Sequence, residues 1–339
     1  MATLETQQLD EILVKSRRKM LSLGSAALAG LVLAGVTKNA EAAALTDTDI
    51  FNFALNLEYL EANFYNLAVY GQTIDQLATP LNITGTGTQG IVVTKNGNDY
   101  SSCQVNFSIP TILAYATETA GEEAKHVAFI QTALGADAVA QPQIDLVNSF
   151  NTLASGALGI PAFDPFANDA NFLIGAYIFE DVGVTAYHGA AGAITSAANL
   201  GYAAGILAVE AYHAGLVRTA INALDASAAF APTGTLTGYT QKISAFRSSL
   251  ANNPLPSPPP MTNGGLAQDD QGIDNTVLVA LQGATATYPS TTILDADNNS
   301  ITFARTPSQI LSIVTGNSPA LPSGNTGVFF PNGLNGTIN

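Results

Sequence analysis

Two glutamates sit three residues ahead of a histidine, in Glu123-Ala-Lys-His126 and Glu210-Ala-Tyr-His213. On a helix that offset puts a carboxylate and an imidazole on one face, one turn apart. Each pair is preceded by a further glutamate with a tyrosine seven places on: Glu58 with Tyr65, and Glu180 with Tyr187. The chain thus carries one pattern twice, Glu-x6-Tyr and then Glu-x-x-His, which predicts two similar helix pairs about a pseudo-two-fold axis. The surroundings are apolar: Ala54, Leu55 and Ala62 about Glu58, Val127 beside His126, Val184 after Glu180, Ile206 and Ala214 about Glu210. A buried, unpaired carboxylate costs several kcal/mol. Four of them converging, with only Lys125 and Arg218 nearby in sequence, would repel one another unless protons or cations intervened. Two divalent ions would match four carboxylates in charge.

The distribution of residue types supports a shared site. All three histidines, and every glutamate after residue 41, lie between Glu58 and His213, whereas aspartates continue to Asp297. Helix propensity separates Glu from Asp only weakly. One Glu from each of two helices with Glu-x-x-His from each of two others is the ligand logic of di-iron and di-manganese bundles. Glu61 shares the Glu58 face to within roughly 60°; it reads either as a carboxylate supporting the ligands or as a partly solvated residue. Tyr65 and Tyr187 could hydrogen-bond ligand carboxylates or serve as core aromatics with satisfied hydroxyls. His188 is either a supporting residue or a structural histidine, and Glu118 with Glu122 reads as a solvated face.

Four long helices must position these side chains. Periodicity and capping signals predict them over about 46–77, 108–135, 164–198 and 199–225. Residues 79–107 interrupt them with a β-branched run and Asn96-Gly97, a hairpin signal; this insertion reads as a lid, an oligomer contact or decoration. After residue 230 Gly, Ser, Thr, Pro and Asn dominate, with an extended Pro254–Pro260 run and short helices expected at about 238–251 and 307–314. Leu278, Val279, Leu281, Ile301, Phe303, Phe329 and Phe330 need burial, so the tail is expected to wrap on the helices rather than remain solvated.

Composition sets outer limits. Charged residues are 11% of 339, against roughly 25% in an average soluble domain. The net charge of −15 and the lack of a basic cluster beyond residues 15–19 argue against nucleic acid. The lone Cys103 excludes an internal disulfide framework and cysteine-based metal sites. Lys15-Ser-Arg-Arg-Lys19, an apolar stretch to Val36 and Ala40-Glu-Ala42 have the order of an export signal, and Arg17-Arg18 resembles its twin-arginine form. The alternative is an uncleaved anchor.

At these residues the chain resembles the ferritin-like superfamily. Ala54-Leu-Asn-Leu-Glu-Tyr-Leu-Glu-Ala-Asn-Phe-Tyr65 is similar to its first ligand helix and Glu118-Thr-Ala-Gly-Glu-Glu-Ala-Lys-His126 to its second. Phe179–Ala191, Val209–Leu216, Arg305–Leu311 and Gly327–Gly336 resemble the desiccation-related, exported members. The resemblance implies a mainly α fold: a ferritin-like four-helix bundle over 43–230 with a β-hairpin insertion at about 79–107. A mostly irregular C-terminal extension over 231–339 would pack on it, behind a 1–42 export signal. Carried over by position, the metal ligands are Glu58, Glu123, His126, Glu180, Glu210 and His213, with Glu123 and Glu210 as bridging carboxylates. The implied cofactor is two divalent metal ions, iron or manganese by the hardness of the donors, with zinc also able to enter. Candidate substrates are peroxide or dioxygen, in a periplasmic or secreted stress-related protein; a homo-oligomer is a candidate assembly, and no membrane partner is expected after cleavage. The competing reading is a non-enzymatic, stress-associated envelope protein with a structural or vestigial site.

Overall fold

The structure, a computed structural model, describes residues 45–97, 99–251, 262–263, 266–267, 269–280, 287–297, 300–316 and 328–339. Residues 1–42, where an export signal is expected, and the Pro254–Pro260 run lie outside them. So do the side chains of Leu278 and Val279, and all of Leu281.

Helix α1 (Asp47–Tyr70) begins at Thr46, whose side chain and that of Asp49 form a capping box, and ends at Gly71 in the left-handed region (φ 62°). That glycine stops it short of the expected Leu77. Nearly all of α1 is buried, including Asn52, Asn56, Asn63 and Asn66. Each asparagine has a hydrogen bond that reaches off the helix: Asn52 to the Asp137 carbonyl, Asn56 to that of Asn335, Asn63 to the Gln141 side chain, and Asn66 to the Ala120 carbonyl. Buried amides are costly unless bonded, so these four lock α1 in register with its surroundings.

Helix α2 (Pro110–Leu134) opens on a proline, and Asp169 accepts the backbone N–H groups of Ser108 and Ile109 just ahead of it. A helix not anticipated from the sequence, α3 (Asn148–Leu158), follows; Asp145 caps it from upstream by accepting from Val147 N and Asn148 N. Helix α4 (Asp169–Ala191) has Asn168 as N-cap and starts later than expected, because Asp164 closes a turn on Phe166 N instead. Helix α5 (Ala197–Ser227) starts from Ser196. α1 packs on α2 and α4 on α5, and the two pairs face each other as a four-helix bundle. Helices α6 (Thr235–Ala251) and α7 (Pro307–Thr315) pack together, and both lie against α4.

The insertion is not a hairpin. β1 (Val92–Val93) pairs in parallel with β2 (Ile144–Asp145), on the far side of α2. Thr94 to Gly97 does form a tight turn (Gly97 N to Thr94 O, 3.1 Å), but the chain then coils into a 3-10 turn at Tyr100–Cys103 rather than returning as a strand. Gly90 permits the close approach: a Cβ there would lie 2.2 Å from Gln143 N. Cys103 is a buried free thiol within this segment, and burial pushes its pKa up.

Further strands β3 (Thr262–Asn263) and β4 (Leu266–Ala267) pair antiparallel, as do β5 (Asp274–Ala280) and β6 (Thr287–Thr292). Phe329 and Phe330 are buried, Phe329 packing edge-on against Phe150 and Phe179. Burial of such a ring contributes about 2 kcal/mol. Phe303 is half-buried. Ile301, expected inside, is exposed: Asp297 accepts its N–H in a surface turn. Asn335 joins the last residues to the bundle by exchanging hydrogen bonds with Asn56 on α1.

Candidate metal centre

The four helices bring Glu58, Glu123, His126, Glu180, Glu210 and His213 to one buried place. One donor atom from each of Glu58, Glu123, His126 and Glu210 lies within 4.8 Å of the others, and the same holds for Glu123, Glu180 and His213. Glu123 belongs to both groups. Its Oε2 is 3.3 Å from His126 Nδ1 and its Oε1 is 2.9 Å from His213 Nδ1. His126 Nδ1 is also 3.2 Å from Glu58 and 3.5 Å from Glu210; His213 Nδ1 is 3.5 Å from Glu180. The arrangement is therefore asymmetric: Glu123 spans the two groups, whereas Glu210, expected to bridge as well, joins only the His126 group.

Several donor atoms have no hydrogen bond despite complete burial: Glu123 Oε1, Glu180 Oε2, both oxygens of Glu210 and His213 Nδ1. His213 Nδ1 and Glu123 Oε1 are close, yet not aligned as donor and acceptor. Buried polar atoms are rarely left so; lone pairs that converge without hydrogen bonds suit a cation. All the donors are carboxylate oxygen or imidazole nitrogen, a set that fits hard or borderline divalent ions.

The electrostatics express the same crowding. Burial raises the pKa of Glu58 and Glu180, and raises that of Glu210 well above the carboxylate range with help from Glu123, Glu61 and Glu58. Burial also works upward on Glu123, but His126 and His213 hold it at about 2. Burial works downward on His126, yet Glu58 and Glu123 push it up to about 12. Without a bound cation, the cluster must take up protons to be tolerated.

Three supporting groups complete the centre. The Tyr65 hydroxyl on α1 donates to Glu180 on α4, and the Tyr187 hydroxyl on α4 donates to Glu58 on α1. This reciprocal crossing follows the internal repeat and orients two of the candidate ligand carboxylates from behind. Glu61 is buried among Glu123, Glu180 and Glu58, whose charges and the burial raise its pKa well above the usual range. His188 is placed elsewhere: its Nδ1 contacts the Phe303 carbonyl at 3.1 Å and Thr302 at 3.3 Å, joining the C-terminal extension to α4.

Two residues of the site escaped the sequence reading. Glu122, read as solvated, has its Oε2 2.7 Å from His213 Nε2. Only the packing of α2 against α5 makes that pairing, and the one sequence hint was its adjacency to Glu123. Gly183, in mid-helix, leaves room for Glu210: a Cβ there would lie 2.1 Å from Glu210 Oε2. A glycine one turn from Glu180 was the available signal.

A four-helix bundle with two such donor groups at its centre defines the ferritin-like class, and residues 46–223 match the family model described as a ferritin-like domain. The chain belongs to that family. It is 30% identical, over 80% of its length and 78% of the relative's, to the desiccation-related protein PCC13-62 of Craterostigma plantagineum. It is 26% identical to the ferritin-like catalase Nec2 of Nesocodon mauritianus, over 86% of this chain and 84% of that one. No solved structure matches the chain.

Proposed function

We propose that the protein is an exported ferritin-like metalloprotein with a carboxylate-bridged dinuclear centre of iron or manganese, and that it dismutates peroxide. The observation that carries this reading is Glu123: its two oxygens face two histidines in two donor groups, and the atoms around them are buried without hydrogen bonds. Glu58, His126 and Glu210 would hold one ion and Glu180 with His213 the other, with Glu123 between them. When bound, the ions would supply two-electron redox capacity and Lewis acidity.

The chain's own side chains supply the rest. Tyr65 and Tyr187 keep their protons, because burial and the carboxylates they serve raise both pKa values well above the ordinary range. They remain donors that fix Glu180 and Glu58. Burial and the charges of Glu123, Glu180 and Glu58 push the Glu61 carboxyl well above the usual range when no cation is bound, which makes it the candidate to give and retake a proton beside the centre. Helix packing excludes bulk water from all five carboxylates.

The choice of peroxide is supported by the name of the catalase relative and by a donor set suited to redox-active ions. A second reading is a non-enzymatic, stress-associated envelope protein whose metal is structural; the name of the desiccation-related relative supports its link to desiccation alone. Twin-arginine export, in which substrates cross the membrane folded, would suit a protein that acquires its metal first.

Elemental analysis of protein purified through its export route tests the centre. Two ions of iron or manganese per chain are expected, lost in the Glu123→Ala/His126→Ala double variant. Unchanged content in that variant would overturn the assignment. Dioxygen evolution from peroxide by the metal-loaded protein decides between catalysis and a structural role.

A further inference from the structure

On the α1–α4 side of the carboxylates, beneath α7 and the last residues of the chain, lies a cavity of about 40 Å³. Its wall is almost wholly apolar, with Leu57, Phe179, Ala186, Ile310, Val314 and Phe329 among the lining residues. Polar side chains reach it only as Glu58, Glu61 and Tyr187, at the end next to the donor groups. Glu58 and Tyr187 are hydrogen-bonded to each other, and Glu61 is buried beside them. By size the cavity has room for about three waters, but a buried water needs two to four polar partners, and dry apolar cavities take up xenon or small apolar molecules instead.

The other side of the centre is different in kind. Between α2 and α5 the Glu122 side chain is 30% exposed and that of His126 10%, with Lys125 exposed beside them. A hydrogen-bonding solute meets partners on this side. On the cavity side it meets methyl groups and rings everywhere but at the end where Glu58, Glu61 and Tyr187 lie.

We propose that these two faces separate the traffic of the reaction: peroxide and water use the polar Glu122–His126 face, and dioxygen occupies and leaves through the apolar cavity roofed by α7. This rests on the peroxide reading above. In dismutation one peroxide gives up two electrons and two protons and becomes dioxygen; the other takes them, its O–O bond breaks, and it becomes two waters. The only apolar species in that balance is dioxygen. Ile310, Val314 and Phe329 lie beyond the 46–223 family match, so the C-terminal extension of this chain supplies the roof.

Crystals of the metal-loaded protein under xenon pressure test the inference directly. A xenon peak is expected beside Leu57 and Val314, and it should vanish in Ala186→Leu and in Val314→Phe with metal content unchanged. The second variant lies outside the four ligand helices, so the test survives if the first fails to fold. Ala157→Leu, in a neighbouring apolar cavity that no carboxylate lines, should leave that peak in place. Ordered water and no xenon in the cavity of a metal-loaded, dioxygen-evolving protein would overturn the inference alone. Xenon in the cavity of a protein without metal or dioxygen evolution would overturn the peroxide reading, and with it the assignment of the cavity to dioxygen.

Discussion

Glu122 Oε2 lies 2.7 Å from Nε2 of His213, while the other ring nitrogen of that histidine faces Glu123 and Glu180. With Nε2 donating to Glu122, Nδ1 would offer its lone pair to an ion held in the centre. A carboxylate behind a ligand histidine also raises its basicity. Glu122→Ala should weaken metal binding about 10–100-fold with little change in fold, since the side chain is partly exposed. Competition with a coloured chelator measures this. Equal affinity in the variant would mean that His213 is oriented by its helix alone.

Gly183 gives a second, opposite pair of effects. A methyl group there would collide with the Glu210 carboxylate, the far end of a flexible side chain, rather than with backbone. The protein should fold, and replacing a mid-helix glycine by alanine should stabilise the metal-free form by up to about 1 kcal/mol. Yet Glu210 must swing aside, so metal content should fall. Gly183→Ala is thus expected to raise the urea midpoint of metal-stripped protein and lower the iron or manganese recovered. A variant that keeps full metal content would show that Glu210 is dispensable.

The helices that carry the candidate ligands were legible because a three-residue Glu–His offset has meaning on a helix, and the apolar neighbours said that those faces are inside. What was illegible depended on contacts between elements. Glu122 is partly solvated, as its neighbours suggested, but its role comes from a histidine 91 residues away. Helix α3 has no side-chain cap from Val147, the residue just ahead of it; Asp145, two to three residues upstream of the N–H groups it accepts, caps it instead. Asn96-Gly97 did make a turn, but the strand it was expected to pair found a parallel partner beyond α2 instead. His188 shares a helix with Glu180, yet the C-terminal extension claims its Nδ1.

The same extension is joined to the bundle by buried charge. Asp181, the residue after Glu180, receives Arg218 and Arg247, each at 2.9 Å. Asp270 receives Arg247 at 2.7 Å and Arg305 at 2.9 Å, and the Arg305 N–H donates to the Thr185 carbonyl at 3.0 Å. Removing one member of such a network strands the others without solvent. Arg247→Ala should therefore destabilise the protein by about 3–5 kcal/mol, read as a drop in the urea midpoint. A loss no larger than that of an exposed pair, about 1 kcal/mol or less, would mean that water enters the network.

At the surface, Asp47 offers a pH test independent of the metal. Its Oδ1 accepts from Thr195 N and Thr195 Oγ1, and its Oδ2 from Ser196 N and Asn199 Nδ2, so it joins the start of α1 to the start of α5. Slight burial works upward on its pKa, but these bonds prevail and hold it at about 2, below the ordinary 3.8. Because the folded-state value is depressed, the folded state favours the ionised form. The resulting stability is fully present above the ordinary value and is lost as pH falls through about 2. Asp47→Asn removes the charge at every pH. The stability gap between wild type and variant should be constant near neutrality, narrow across that acid window, and close below it. Urea midpoints taken along a pH series would reveal it, and curves that stay parallel down to the acid end would show that the four hydrogen bonds do not distinguish the ionised carboxylate from its neutral form.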